Sequence, residues 1–369
     1  MRSTRNKGAQ QNRVRDNKMK EMPMNAGHKT KLLCAATLVL GTLGAGMESV
    51  KAADSVNVYS SRHYKSDKII IREFEKATGI KVNVVTGKVS SLFARLKREG
   101  RNSPADILIT VDAGNLGRAQ AANLFQPMKS AFIEKVVPAQ LREPSGLWTG
   151  LSMRARVVMY HKDRVKPSQL STYEDLAASK WKGEILIRSS NNIYNQSLVG
   201  SLIAAHGTSN ALSWAKGIVE NLARKPKGGD RDQIRGVGAG EGDIAIANTY
   251  YLGGLSASKK HKDKVLVAKI GVFFPNQKGR GTHVNISGAG ITRYAKNKKA
   301  AVKLIEYMLT RKSQKIFGDL NYEYPIREDV EAHPIIDSWG KFKKDALNVS
   351  VLGANNASAV RLMDKAGWR

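Results

Sequence analysis

Cysteine is almost absent: Cys34 is the only one in 369 residues. That excludes a disulfide framework and a thiolate zinc site. Acidic residues are also scarce, 31 against 61 Lys and Arg. Long apolar runs are missing apart from one near the N-terminus, so no other stretch offers the roughly 18 to 20 residues of a membrane-spanning helix. A nucleotide loop is lacking too. "GVGAGEG" (236–242) is glycine-rich, but it has no Lys-Ser/Thr and precedes a strand instead of following one, so it reads as a turn. Nor is there a Ser-His-Asp or paired-carboxylate arrangement. His63, His161, His206, His261, His283 and His333 are scattered along the chain, which argues against an enzyme.

What is present is a globular composition, 41% hydrophobic and 7% aromatic, at a length that suggests about two domains. The single apolar run has the form of an export signal. His28, Lys29 and Lys31 precede an apolar stretch from Leu32 to Ala45, and "VKAA" (50–53) supplies small residues for cleavage after Ala52 or Ala53. Residues 1–53 are therefore expected to be an N-terminal extension and cleaved signal peptide, with Met24 a candidate start, and the mature chain to lie in the periplasm. Cleavage would remove Cys34. Ten basic and three acidic residues would go with it, leaving 51 against 28, a net charge of +23. Such a field favours anionic partners and ionised acids, phenols included. The basic residues are spread over the whole length without a nucleic-acid-reading motif, so nucleic acid is not the expected partner.

Beyond the leader, strands and helices alternate. "VNVYSS" (56–61), "KVNVVTG" (81–87) and "ADILITV" (105–111) read as strands. The amphipathic stretches 65–80, 90–100 and 113–125 read as helices. This order predicts an α/β fold with a mostly parallel sheet and ligand sites beyond the carboxyl ends of the strands. "TGLSMRARVVMYHKD" (149–163) reads as a crossover. "GEILIRSS" (183–190) reads as a strand feeding a helix capped by Asn191 or Asn192, and "THVNISGAGITRYAKN" (282–297) as a return. Residues 298–321 read as one long amphipathic helix. The expected lobes are 54–150 with about 280–330, and 151–279 with about 331–369.

Tyrosines mark the strand ends. His63 and Tyr64 follow the first strand, Tyr194 follows "ILIRSS", and Tyr250 with Tyr251 follows "DIAIAN". Two adjacent side chains can converge on one atom only where the alternating strand geometry has stopped. A neutral phenol is a poor ligand for divalent ions, whereas a trivalent hard cation holds phenolates ionised. Fe3+ with four phenolates carries 3 − 4 = −1, and Arg154 or Arg156 on the crossover is placed to offset that charge.

"SSRHY", "SMRARVVMY", "RSSNNIYNQSL", "GGDRDQI" and "GEGDIAIANTYY" closely resemble motifs of the periplasmic ferric-ion-binding proteins of bacterial ABC transporters, in order over residues 55–369. The resemblance implies a type II-like periplasmic binding protein: two Rossmann-like lobes joined by hinge strands, closing on the metal. It implies iron coordination by Tyr64, Tyr194, Tyr250 and Tyr251, with His63 where some members supply a fifth ligand and Arg154 beside the site. It further implies a carbonate or other synergistic anion, and delivery by a monomer to an inner-membrane ABC permease with its cytoplasmic ATPase. One departure stands out. Some relatives carry an arginine shortly after the tyrosine pair, where this chain has Leu252, Gly253, Gly254 and Leu255. Tyr160 and His161 are read as structural. The alternative within the same fold is a receptor for a small anion or a ferric chelate.

Overall fold

The structure is a computed structural model and describes residues 55–369. The expected signal peptide and its cleavage site lie outside the described residues. Nine strands are found among these residues: β1 (Ser55–Ser60), β2 (Lys81–Thr86), β3 (Ile107–Val111), β4 (Phe125–Gln126), β5 (Thr149–His161), β6 (Ile185–Leu186), β7 (Ile244–Asn248), β8 (Ile270–Phe273) and β9 (Val284–Thr292). The helices are α1 (Lys65–Thr78), α2 (Val89–Glu99), α3 (Ala113–Ala121), α4 (Ala131–Val136), α5 (Ile193–Glu220), α6 (Asp230–Ala239), α7 (Thr249–Ser256), α8 (His261–Ala268), α9 (Lys298–Met308), α10 (Arg311–Asn321), α11 (Pro334–Asp337), α12 (Ser350–Ala354) and α13 (Asn356–Lys365).

The strands follow the order β2-β1-β3-β9-β5-β7-β6, with β4 added beside β9 and β8 beside β5. Pairing is parallel at β2-β1-β3 and at β6-β7, as alternation of strand and helix predicts. The other five of the eight pairings, all at β5 or β9, are antiparallel, so the expected mostly parallel sheet is corrected: these two strands cross between the strand systems instead of following a helical crossover. β5 pairs with β9 through Thr149–Ala155 and with β7 from Arg156 onward, so one strand belongs to both systems. All thirteen of its residues are buried. Its alternation decides the core. Val157 and Met159 face one apolar cluster, which also holds Val56, Ile107 and Ala247. Val158 and Tyr160 face the other, with Ile246, Leu198, Trp214 and Trp368.

Helix ends follow local chemistry. In α1, Ile70 and Phe74 lie one turn apart and are buried, and Gly79 stops the helix at φ 72°. Three further expectations are corrected. Residues 298–321 form two helices, because Thr310 caps α10 by accepting from the Ser313 amide at 3.3 Å. The 183–190 strand shrinks to β6, because Asn195 Nδ2 donates to the carbonyls of Arg188 (2.7 Å) and Ser189 (3.2 Å) and takes them from the sheet. The glycine-rich turn begins only at Gly240, since α6 runs through Ala239. The C-terminal α12 packs on both α3 and α5. It does so closely: a Cβ on Gly117 would fall 2.5 Å from the Cα of Gly353.

Candidate metal centre

Each of the four tyrosines expected as ligands stands at the start of a helix. Tyr64 is the N-cap of α1. Tyr194 lies in the first turn of α5, whose N-cap Asn192 accepts from the Tyr194 amide at 3.1 Å. Tyr250 and Tyr251 lie in the first turn of α7. Two neighbouring phenols therefore share a site because the strand has already become a helix, where successive side chains fan round one end. Their ring centroids are 4.2 Å apart, tilted by 34°.

The structure brings these phenols together. Tyr250 Oη donates to Tyr194 Oη at 3.1 Å, and both residues are 8% exposed. Burial is the main cause that pushes Tyr194 and Tyr250 well above the usual phenol range, followed by the charge that a neighbouring phenolate would carry. Tyr64, half-buried, is raised by burial and then by Glu323, with Arg62 and Arg154 pulling the other way. Tyr251 lies close enough for its ionisation to act on Tyr64, Tyr194 and Tyr250 alike. His63 is exposed at the rim, its ring stacked on that of Tyr64 with centroids 5.5 Å apart.

Guanidinium groups surround the phenols. Arg62 sits 4.8 Å above the Tyr64 ring, Arg231 5.0 Å above Tyr251, and Arg154 and Arg188 each 5.8 Å from the Tyr194 ring. The two crossover arginines divide their work. Arg156 is committed: it pairs with buried Asp230 at 3.2 Å and donates to Asn248 at 3.1 Å and to Asn195. It thus binds together the residue before α7 and the residue after Tyr194. Arg154 donates to Ser287 Oγ at 3.3 Å, while its buried Nε has no partner among the described residues. The Nε of Arg156 is likewise unpartnered, so what separates the two is the carboxylate: Arg156 is ion-paired with Asp230, whereas Arg154 acts on Glu323 and Asp112 without a direct salt bridge.

Sequence reasoning missed the supports. Glu323 is buried and pairs with Arg62 at 3.1 Å, and it also accepts from Ser287 Oγ at 3.2 Å. Arg62 and Arg154 overcome its burial and hold its carboxyl below the usual range. Asp67 completes the cage around Arg62 at 3.1 Å. Nothing local signals Glu323, which lies 261 residues from Arg62. Asp230 stood in plain view inside "GGDRDQI".

The donor set is unusual. Among the described residues no three His, Cys, Asp or Glu side chains gather as a conventional metal site. The convergent oxygens are phenolic, and such a set suits a hard, highly charged cation better than a divalent one. Beside it opens a cleft of about 1040 Å³ lined by His63, Lys88, Asn115, Arg118, Arg188 and Asn191, among others.

A profile of the bacterial extracellular solute-binding proteins matches residues 102–344. The chain belongs to that family. Within it, the chain is 49% identical over 314 residues to Iron uptake protein A1 of Synechocystis sp. (strain ATCC 27184 / PCC 6803 / Kazusa), covering 85% of this chain and 87% of that protein. It is 26% identical to the Major ferric iron-binding protein of Neisseria meningitidis serogroup B, covering 86% and 94%. Among solved structures, the Trichodesmium protein IdiA (FutA) in complex with iron and citrate ligands aligns with TM-score 0.83 and 54% identity, over 85% of this chain and all of that one. A ferric binding protein from Campylobacter jejuni aligns with TM-score 0.81 and 47% identity, over 85% and 100%. The α/β fold is thus that of the type II periplasmic binding proteins, and a member of this family binds solute without turning it over. No helix among the described residues is long and apolar enough to cross a membrane.

Proposed function

We propose that the chain captures Fe3+ through the phenolates of Tyr64, Tyr194, Tyr250 and Tyr251, with His63 at the open edge, and hands it to an inner-membrane ABC permease driven by a cytoplasmic ATPase. The observation that carries this reading is the 3.1 Å contact between the hydroxyls of Tyr194 and Tyr250, with Tyr251 and Tyr64 near enough to be electrically coupled to them. The names of the relatives support iron as the solute, and the family supports a periplasmic setting. Arg154 offsets the negative charge left when four phenolates surround Fe3+. The lobes are residues 54–150 with about 280–330, and 151–279 with about 331–369. Their approach joins Tyr64 to the other three phenols, a hinge closure.

Loading must displace the phenol protons, and burial holds those of Tyr194 and Tyr250 well above the usual phenol range. Acid therefore favours release, and so does reduction, because Fe2+ gains less from phenolate. Adding a ferric salt to the purified protein tests the reading: ferric phenolate absorbs visible light, and an orange to red colour is expected. A colourless sample that is nonetheless stabilised by a small anion would overturn it. A second reading, a ferric chelate with an anion such as carbonate or a polycarboxylate beside the metal, is favoured by Lys88, Arg118 and Arg188 along the adjoining cleft.

A further inference from the structure

Asp112 is the residue whose backbone is hardest to explain by packing. It follows β3 as the N-cap of α3 at φ 75° and ψ 126°, a sparsely populated conformation that costs a side-chain-bearing residue roughly 1–3 kcal/mol. Its side chain is also completely buried. Burial raises its carboxyl, with the nearby Arg154 opposing. Strain of this kind persists only where the surroundings over-determine it, and it clusters at functional positions.

Three elements converge on this side chain. The Gly114 amide donates to Oδ1 at 2.8 Å, Asn285 Nδ2 on β9 donates to Oδ2 at 3.0 Å, and Ser197 Oγ on α5 donates to Oδ1. Asn285 Oδ1 in turn accepts from the Ala113 amide at 2.8 Å, and the Asp112 amide is tied to the Ile286 carbonyl at 2.8 Å. All of these partners except Ser197 belong to β9 or to the start of α3. Ser197 sits on α5, three residues beyond Tyr194, so a movement of α5 carries the hydroxyl and the phenol together. The approach leaves no slack. A Cβ on Gly114 would fall 2.9 Å from Ser197 Oγ and 3.0 Å from Ile193 Cδ1.

We infer that Asp112 and Ser197 are positioning residues that latch the two strand systems together and so fix how near Tyr194 comes to Tyr64. Asp112 is held rigid by its own side of the cleft, and its carboxylate keeps one acceptor position for α5. When α5 is seated, Ser197 fills that position in a dry environment. When α5 swings away, the carboxylate exchanges the hydroxyl for water, which makes the latch reversible. The missing side chain at Gly114 sets the depth of closure. The inference rests on the proposed approach of the two systems and not on which ligand lies between them.

Nitroxide labels at Lys88→Cys and Asn191→Cys, two exposed positions lining the cleft from opposite sides, report the opening in the full chain with Cys34→Ser. With Ser197→Ala the distance distribution should shift to longer values than in the parent, with or without ferric ion. Asp112→Asn, which keeps the shape of the side chain, and Gly114→Ala should act in the same direction. In the iron-loaded protein, transfer to EDTA should quicken by roughly fivefold for Ser197→Ala, the worth of one such hydrogen bond. The visible absorption maximum should stay where it is, because no phenol has changed. Distances and transfer rates equal to those of the parent in both Ser197→Ala and Gly114→Ala would overturn the latch. A parent that never colours with ferric ion would overturn the metal reading instead, and the label distances would still decide the latch.

Discussion

The two sides of the cleft contribute unequally. The β1 side brings a single phenol, Tyr64, whose arginine is already neutralised by Asp67 and Glu323. The β7 side brings Tyr194, Tyr250 and Tyr251 on α5 and α7, with a hydroxyl-to-hydroxyl bond already in place and Arg156 locking both helix starts to Asp230. On the proposed ligand assignment, one side is a nearly complete donor cluster and the other a rigidly held single donor. Such a division suits capture in two steps, in which the metal meets three oxygens first and the fourth arrives with closure.

The comparison breaks most sharply at the β7 side. Tyr250→Phe or Tyr194→Phe should weaken ferric affinity by roughly a hundredfold or more, beyond what loss of a supporting residue costs, with the circular dichroism spectrum unchanged. Equal affinity in both variants would remove them from the ligand set. Tyr64→Phe should cost less, about ten- to a hundredfold, and should leave a coloured complex, because three phenolates still bind. A colourless Tyr64→Phe protein would make the two sides equivalent and end the two-step view. Glu323→Gln probes the single-donor side through its support. Arg62 would lose a buried partner, at a cost of about 3 kcal/mol, read as a lower melting temperature, and Tyr64 would be less well aimed. His63→Ala should have the smallest effect, under about tenfold, since the ring stands exposed at the rim.

Alkali offers a further contrast in the metal-free protein. Tyr194 and Tyr250 are raised above their unfolded value, so the native state holds protons that the unfolded chain releases near pH 10. Stability is then fully present below that pH and falls as pH rises past it. Denaturant titrations between pH 8 and 11 should record the decline, and it should be smaller in Tyr250→Phe.

The sequence carried the alternation of strand and helix, and the tyrosines at the strand ends, because both depend on neighbours along the chain. Asn192 as the cap of α5 was legible for the same reason. The break at Thr310 was legible in principle, since threonine is a favoured N-cap residue, but the apolar period runs through it and conceals the stop. The charge assignment was half legible. Both Arg154 and Arg156 were candidates, and only the position of Asp230, 74 residues away, separates them. Glu323, Asp112 and Ser197 were out of reach. Each owes its place to a contact between distant segments, and none differs in type from the ordinary polar residues around it.

β5 hands its pairing from β9 to β7 between Ala155 and Arg156, and the two buried arginines flank that point. If the halves rock against one another as proposed, a pivot at this point would bear positive charge, and the proposed counter-ion would travel little while the phenols move past it. A substitution that alters the swing and one that alters the electrostatics will accordingly be hard to separate at positions 154–156.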